Sequence, residues 1–322
     1  MGWATLAKRS VAGWPGAEPW LTSERFREFQ VLAAIQAQWR PLQMELFPRL
    51  MLLDFSDPEL LIGQKFRRGR PDSDIWSAPL PARTCRQGVP VAFDALGDFI
   101  GDLLLEHSAP DVAAVVALPR PVSHWRLLEW PDGHEPEDPV EALRERAIPL
   151  GWPFSLEQAA LAIQPLEQSP GASLVVGTSL QSLNGWIETF AISGTALRHL
   201  IPSQACVHMA LQSLLDRSEP DVLVALLQPL ADGVDLLIWR DGVPEFEQRL
   251  PADPEAMLQA LLQVVDFCRS QLGDGPLRLL QAEPLQQASV LEERLDLPVE
   301  LVDRGEYGSL HLAGLGELLL VR

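Results

Sequence analysis

The order of strands and helices predicted from the sequence repeats once along the 322-residue chain. In each half, three strand-like segments are followed by a helix, a further strand and a second helix. Two runs, 112–118 (VAAVVAL) and 222–227 (VLVALL), are apolar throughout, which is typical of strands that are buried on both faces. The repeat indicates a two-lobed α/β protein, and we predict that these runs are central strands of two different lobes.

The second half contains the clearest local turn signal. Residues 231–242 read ADGVDLLIWRDG, so a short apolar strand ends at Asp241-Gly242. Asp-Gly between two extended segments favours a primed hairpin turn, because both central residues adopt a positive φ. Together with the flanking segments 221–227 and 243–250, this turn predicts a three-stranded meander.

Composition narrows the classes of function. The chain has 44 Asp and Glu residues but only 25 Lys and Arg residues, and its net charge of −19 would repel nucleic acid and anionic lipid. No apolar run approaches the roughly 20 residues that a membrane-spanning helix needs. The three cysteines are odd in number and lie far apart in the sequence. We therefore expect a cytoplasmic protein with free thiols, no nucleic-acid partner and no membrane insertion.

Four stretches of the sequence follow one family pattern in their order and spacing. The first is VAAVVALPRPVSHWRLLEWP and the second is DPVEALRERAIPLGWPFSLEQAALAIQPL. The third is SLVVGTSLQSLNGWIETFAISGTALRHLIPSQACVHMALQSLL and the fourth is ADGVDLLIWRDGVPEFEQRLP. Together they resemble the PilM family of actin-like cytoplasmic proteins from type IV pilus machinery, over about residues 46–322.

The resemblance implies an actin-like fold, in which a ribonuclease H-like motif is duplicated and a small subdomain is inserted. It also implies ATP binding between the lobes, and a peptide partner beside the insert, the short cytoplasmic N-terminal segment of the membrane protein PilN. The chain then divides into an N-terminal extension with a helix (1–45), a first lobe (46–185) that includes the insert (about 122–165), a second lobe (186–304) and a C-terminal helix that packs at the interlobe cleft (305–322).

The first loop that would hold ATP departs from the family pattern. The family's D-I-G-S-S-S-I-K corresponds here to DFSDPELL, from Asp54 to Leu61. Asp54 is retained, but Ser56 replaces the glycine, Pro58 removes an amide donor and Leu61 replaces the lysine. Glycine hairpins hold phosphate through backbone amides that approach it closely, so we expect these changes to weaken phosphate binding.

The second loop is altered in the same way. The family's D-I-G-A-S-T-T-N corresponds to Gln228–Asp235, where Leu230 replaces the glycine. Near the C-terminus, EYGSLHL keeps Tyr307 and Gly308, which either line a residual base pocket or pack and start the last helix; we prefer packing. Acidic side chains would face the phosphates: Asp54, Asp57, Glu59, Asp232 and Asp235. We predict no cofactor, the alternative being ATP with Mg, and a degenerate nucleotide site at Asp54, Ser56, Asp232, Gly233, Tyr307 and Gly308.

A group of large apolar residues in or beside the insert is the candidate peptide site. Its members are Trp125, Leu127, Trp130 and Trp152. Tryptophan is enriched in binding hot spots, but the same residues could instead form the core of a small subdomain. Both interpretations stay open for Trp130 and Trp152, whereas the alternation of the strand favours a core position for Leu127.

No motif for catalysis or for metal binding is present. The sequence lacks GxSxG, GxxxxGK[ST] and HExxH patterns. Its isolated histidines are expected to be structural or exposed: His107, His124, His134, His199 and His311. We therefore predict no catalytic residue, no metal site and no enzymatic activity.

The leading hypothesis is a cytoplasmic adaptor of a type IV pilus or DNA-uptake machine. It would reach the inner membrane through a PilN-like partner and contact other pilus assembly proteins. Two alternatives stay open: an actin-like protein that binds or hydrolyses ATP, and a GspL-like cytoplasmic component of type II secretion.

Overall fold

The computed structural model describes residues 49–107, 112–145, 150–166, 171–272, 275–285 and 288–320. The predicted N-terminal extension and its helix lie outside these residues. The strands are β1 (Leu50–Asp54), β2 (Leu60–Arg67), β3 (Arg70–Pro79), β4 (Cys85–Arg86), β5 (Val89–Pro90), β6 (Ala113–Leu118), β7 (Ser123–Glu129), β8 (Ala159–Pro165), β9 (Ala172–Ser179), β10 (Ala196–Pro202), β11 (Leu223–Leu230), β12 (Gly233–Arg240), β13 (Val243–Leu250), β14 (Leu277–Gln281) and β15 (Val299–Leu301). The helices are α1 (Phe93–Glu106), α2 (Pro139–Glu145), α3 (Leu180–Ile192), α4 (Ser203–Leu215), α5 (Pro254–Leu272), α6 (Ala288–Leu295) and α7 (Leu310–Leu320).

Two five-stranded sheets share one topology. The first has the order β3-β2-β1-β6-β10, and the second has the order β13-β12-β11-β14-β15. In the first sheet, β1 pairs antiparallel with β2 and parallel with β6. In the second sheet, β11 pairs antiparallel with β12 and parallel with β14. The runs at 112–118 and 222–227 form β6 and β11, which have neighbours on both sides and lie in different sheets. The prediction of two lobes is confirmed.

The predicted meander is also present. β11, β12 and β13 pair in sequence, and Asp241 and Gly242 have φ angles of 52° and 76°. Both central residues of the turn are therefore in the left-handed region, as a primed turn requires.

The inserted subdomain is larger than the sequence predicts. Its antiparallel sheet has the order β7-β9-β8, so it extends to Ser179 and not to about residue 165. The first lobe is also longer than predicted, because β10 pairs with β6, and a boundary at residue 185 would fall inside α3. Both corrections have one cause: an apolar pattern predicts a strand but does not specify which distant strand it pairs with.

Helices cover both faces of each sheet. α1 and α3 pack on one face of the first sheet, and α5 and α6 pack on one face of the second. Two helices lie between the sheets: Leu312 and Leu315 of α7 pack against the first sheet, while Val207 and Leu211 of α4 pack against the second. The interlobe layer is therefore built from α4 and α7.

Candidate functional site

The carboxylate of Asp54, at the end of β1, lies at the base of the cleft between the lobes. It is 2% exposed and accepts hydrogen bonds from the backbone N of Ser56 at 2.9 Å and from Ser309 Oγ at 2.5 Å. Nδ1 of His311 lies 3.1 Å from its Oδ2. Burial by itself would raise the pKa of Asp54, but His311, Ser309 and Ser56 outweigh burial and lower the pKa to about 2. Asp54 is thus a stabilised buried anion.

His311 is a buried member of the cleft and not an exposed histidine. Its Nδ1 lies 3.0 Å from Ser56 Oγ and 3.3 Å from Gln228 Nε2. Ser56 and Asp54 approach the same ring nitrogen, whereas a catalytic triad needs the acid on one nitrogen and the nucleophile on the other. The ring is 2% exposed, so the group has the geometry of a structural network that joins α7 to both sheets.

The two loops that would hold phosphate contact each other. Asp57 Oδ1 accepts a hydrogen bond from the backbone N of Glu59 at 2.8 Å, and Asp57 Oδ2 accepts one from the backbone N of Ala231 at 3.1 Å. Backbone amides of this loop are the donors that would bind a nucleotide phosphate in the implied site. One of those amide donors, that of Ala231, is therefore already hydrogen-bonded to a carboxylate of the chain.

Two arginines pair with the acidic side chains of the second loop. Arg120, just after β6, donates from Nη1 to Asp235 Oδ1 at 2.7 Å. Arg249 on β13 donates from Nε to the same oxygen at 2.6 Å and also pairs with Asp232. The sequence predicts that Asp232 and Asp235 would repel a phosphate, whereas in the structure basic partners from distant positions pair with both.

The remaining positions of the predicted nucleotide site have packing roles. The backbone N of Gly308 donates to Gln64 Oε1 at 3.1 Å, and Tyr307 packs against the first-sheet core beside α7. A Cβ on Gly233 would lie 2.6 Å from the backbone O of Leu250, so the neighbouring strand requires a glycine there. These contacts account for Tyr307, Gly308 and Gly233 without a ligand.

Trp130 belongs to the core of the insert. It is 3% exposed, its Nε1 donates to Ser173 Oγ at 2.8 Å, and it packs with Leu128 and Leu143. Trp152 is half-buried against the same core, where its ring covers Gly177. Of the two interpretations that the sequence leaves open for Trp130, these contacts support the core position.

Leu127 does not lie in this core. Leu128 and Trp130 share the covered face of the insert sheet, so the alternation of a strand places Leu127 and Trp125 on the opposite face. The pairing register adds residues from the two neighbouring strands. We call this surface the outer face of the insert: Trp125, Leu127, Ala162, Leu174 and Val176. Among the described residues, no hydrophobic core cluster includes any of the five.

The helix α3 begins directly after β9, which is one of the strands of the outer face. Leu180 and Ile187 of α3 are 41% and 47% exposed. Large apolar side chains that remain open to solvent next to an apolar sheet face are typical of binding surfaces. The exposure of these two side chains was not predicted, because an apolar pattern does not show which residues of a helix stay open to solvent.

The duplicated sheet order, the two helices between the sheets and the inserted subdomain define the two-lobed actin-like fold. A chain of the PilM-PilN type IV pilus biogenesis complex has this fold: it matches with a TM-score of 0.65 and 18% identity, over 84% of this chain and 98% of that one. The predicted resemblance is confirmed at the level of the fold.

Two further solved structures are similar over most of their length. The cytoplasmic domain of EpsL, an inner membrane component of the type II secretion system of Vibrio cholerae, has a TM-score of 0.49 and 14% identity, over 84% of this chain and 95% of that one. A Bacteroides thetaiotaomicron protein with an actin-like ATPase fold has a TM-score of 0.49 and 12% identity, over 83% and 95%. No protein-family model and no curated protein matches the sequence. None of the helices in the described part of the chain has the length and hydropathy to cross a bilayer.

Proposed function

We propose that this chain is a non-enzymatic adaptor in a type IV pilus assembly complex. It binds the short cytoplasmic N-terminal segment of a PilN-like membrane protein, and this partner brings it from the cytoplasm to the inner membrane. The observation that carries the proposal is the match of 98% of a chain from a PilM-PilN complex at a TM-score of 0.65.

The outer face of the insert is the proposed peptide surface. Its apolar side chains stand on a sheet held from behind by the core around Trp130 and Leu143. A rigid apolar face can bind a partner segment without an entropic cost of ordering the receptor. Leu180 and Ile187 are exposed apolar residues on α3, the helix that follows β9, and we include them in the proposed surface. We assign Trp125 and Leu127 the anchoring contacts, in place of Trp130.

The absence of catalysis is also proposed. Asp57 engages the amide of Ala231, and Asp54 is bound by Ser56, Ser309 and His311. A triphosphate would have to displace Asp57 from the amide of Ala231, and it would meet the buried anion of Asp54. These contacts favour the adaptor over the alternative of an ATP-hydrolysing protein.

A peptide titration tests the adaptor proposal. A synthetic peptide that copies the cytoplasmic N-terminus of the PilN-like protein should bind the full chain, and Leu127→Ser should weaken the affinity at least about tenfold, since burying a leucine stabilises a complex by roughly 1.5–3 kcal/mol. Leu301→Ser is the matched control, because Leu301 is a 56% exposed leucine on the edge strand β15. Equal affinity of the folded Leu127→Ser variant and the wild type would exclude the outer face as the peptide site.

A further inference from the structure

The second lobe contacts β7, the first strand of the insert, at Ser123, the first residue of that strand. Gln204 Nε2, at the start of α4, donates to the backbone O of Ser123 at 3.3 Å and to Glu247 Oε2 on β13 at 3.3 Å. Ser123 Oγ in turn lies 3.2 Å from Thr178 Oγ1 on β9. A chain of hydrogen bonds therefore connects β13 to two strands of the insert.

Arg120 makes a second connection at the same place. It lies three residues before Ser123, in the 3₁₀ turn that joins the first sheet to β7. Its Nη1 donates to Asp235 Oδ1 at 2.7 Å, and its Nε lies 3.6 Å from Glu247 Oε2. The side chains of Arg120, Asp235 and Glu247 are only 17%, 7% and 21% exposed. Their attraction is therefore less screened than that of a surface pair.

These contacts lie at the base of the outer face. Ser123 shares its side of β7 with Trp125 and Leu127, and Thr178 shares its side of β9 with Val176. Any shift of Ser123 relative to Glu247 therefore moves the strands that carry the apolar surface.

We infer that Arg120, Gln204 and Glu247 form a tether by which the second lobe fixes the position and rigidity of the insert sheet. The tether joins the lobes through side chains of the chain itself. The mechanical connection does not depend on the proposed function. A role of the tether in peptide docking rests on that function.

Amide hydrogen exchange of the full chain, read by mass spectrometry, tests the tether. Glu247→Gln removes the charge that faces Arg120 and keeps the size of the side chain. Amides of β7 and β9 should then exchange about fivefold faster, because local opening of the insert becomes easier. Arg120→Met should act in the same direction, and Asp235 then remains paired with Arg249.

Glu283→Gln is the matched control for loss of one carboxylate charge. Glu283 pairs with Arg304 at 3.1 Å, but both side chains are largely open to solvent, so exchange in β7 and β9 should not change. If the amides of β7 and β9 in the Glu247→Gln variant exchange at the wild-type rate, or if the exchange rate rises equally in every strand, the inference is overturned. The experiment uses no peptide. A chain that shows the tether but binds no PilN-like peptide would contradict the proposed function alone.

Discussion

Asp54 shows how the chain itself can satisfy a buried charge at the base of the cleft. The resemblance places this carboxylate in the first of the two loops that would hold phosphate. Here it accepts hydrogen bonds from Ser309 and the backbone of Ser56, and it lies against His311. Its charge is satisfied by the chain, so its role at the residue scale is to join β1 to the start of α7.

The stability contributed by Asp54 should depend on pH in a defined window. Its pKa falls from an ordinary value of 3.8 to about 2 on folding. Because the folded pKa is the lower one, the contribution is complete above the unfolded pKa and is lost as the pH falls from about 4 to 2. The shift corresponds to about 2 kcal/mol at neutral pH.

Urea denaturation of the wild type and of Asp54→Asn, followed by circular dichroism, measures this contribution. The difference between the two urea midpoints should be largest near neutral pH and should shrink as the pH falls below about 4. A difference that stays constant over the whole acid range would show that Asp54 is not a stabilised anion.

At the scale of elements, the crossing of α4 and α7 sets the distance between the lobes. A Cβ built on Gly314 of α7 would lie 1.8 Å from the backbone O of Cys206 on α4. Only a glycine lets the two helices approach this closely, because any side chain would meet backbone and not a mobile side-chain end. The helix pair therefore acts as a close-packed spacer between the two sheets.

Gly314→Ala should destabilise the protein by about 1–3 kcal/mol through overpacking, in spite of the better helix propensity of alanine. Gly316→Ala is the matched control, because its Cβ would meet side-chain atoms of Tyr307 and not backbone. The melting temperature of Gly314→Ala should be the lower of the two. Equal melting temperatures would mean that the crossing tolerates a wider separation.

Elements whose signal is local could be predicted from the sequence. The apolar runs of β6 and β11 and the Asp241-Gly242 turn depend on periodicity and turn chemistry, and their positions are confirmed. Leu127 was placed on the wrong face because Leu127 and Leu128 are both apolar, so the alternation of β7 does not specify its register. The apolar pattern predicts the strand but not which of its two faces is buried.

Contacts that depend on irregular or distant geometry could not be predicted. A direct count of residues back from the Asp241-Gly242 turn pairs Asp235 with Gln248, whereas the structure pairs it with Arg249 because of a bulge in the β12–β13 ladder. A bulge leaves no clear sequence signal. Arg120 reaches Asp235 over 115 positions, and nothing local indicates that contact. For this reason the basic partners of the second-loop acids could not be predicted from the sequence.

At the scale of the whole molecule, the two lobes are joined across the cleft by groups of the chain. Asp57 binds the amide of Ala231, Gln228 lies against His311, and Arg120 pairs with Asp235. In a nucleotide-dependent protein, the ligand would make such bridges and would shift the lobes only through its own differential contacts. We therefore propose that lobe closure here is independent of nucleotide.

Calorimetric titration of the full chain with Mg-ATP tests this account most directly. With the amide of Ala231 occupied by Asp57, and with no lysine in either loop, we predict no saturable heat at low millimolar nucleotide and no rise in melting temperature. AMP serves as the control for binding through the base alone. A saturable heat together with stabilisation by Mg-ATP but not by AMP would contradict the account and would support an ATP-binding actin-like protein.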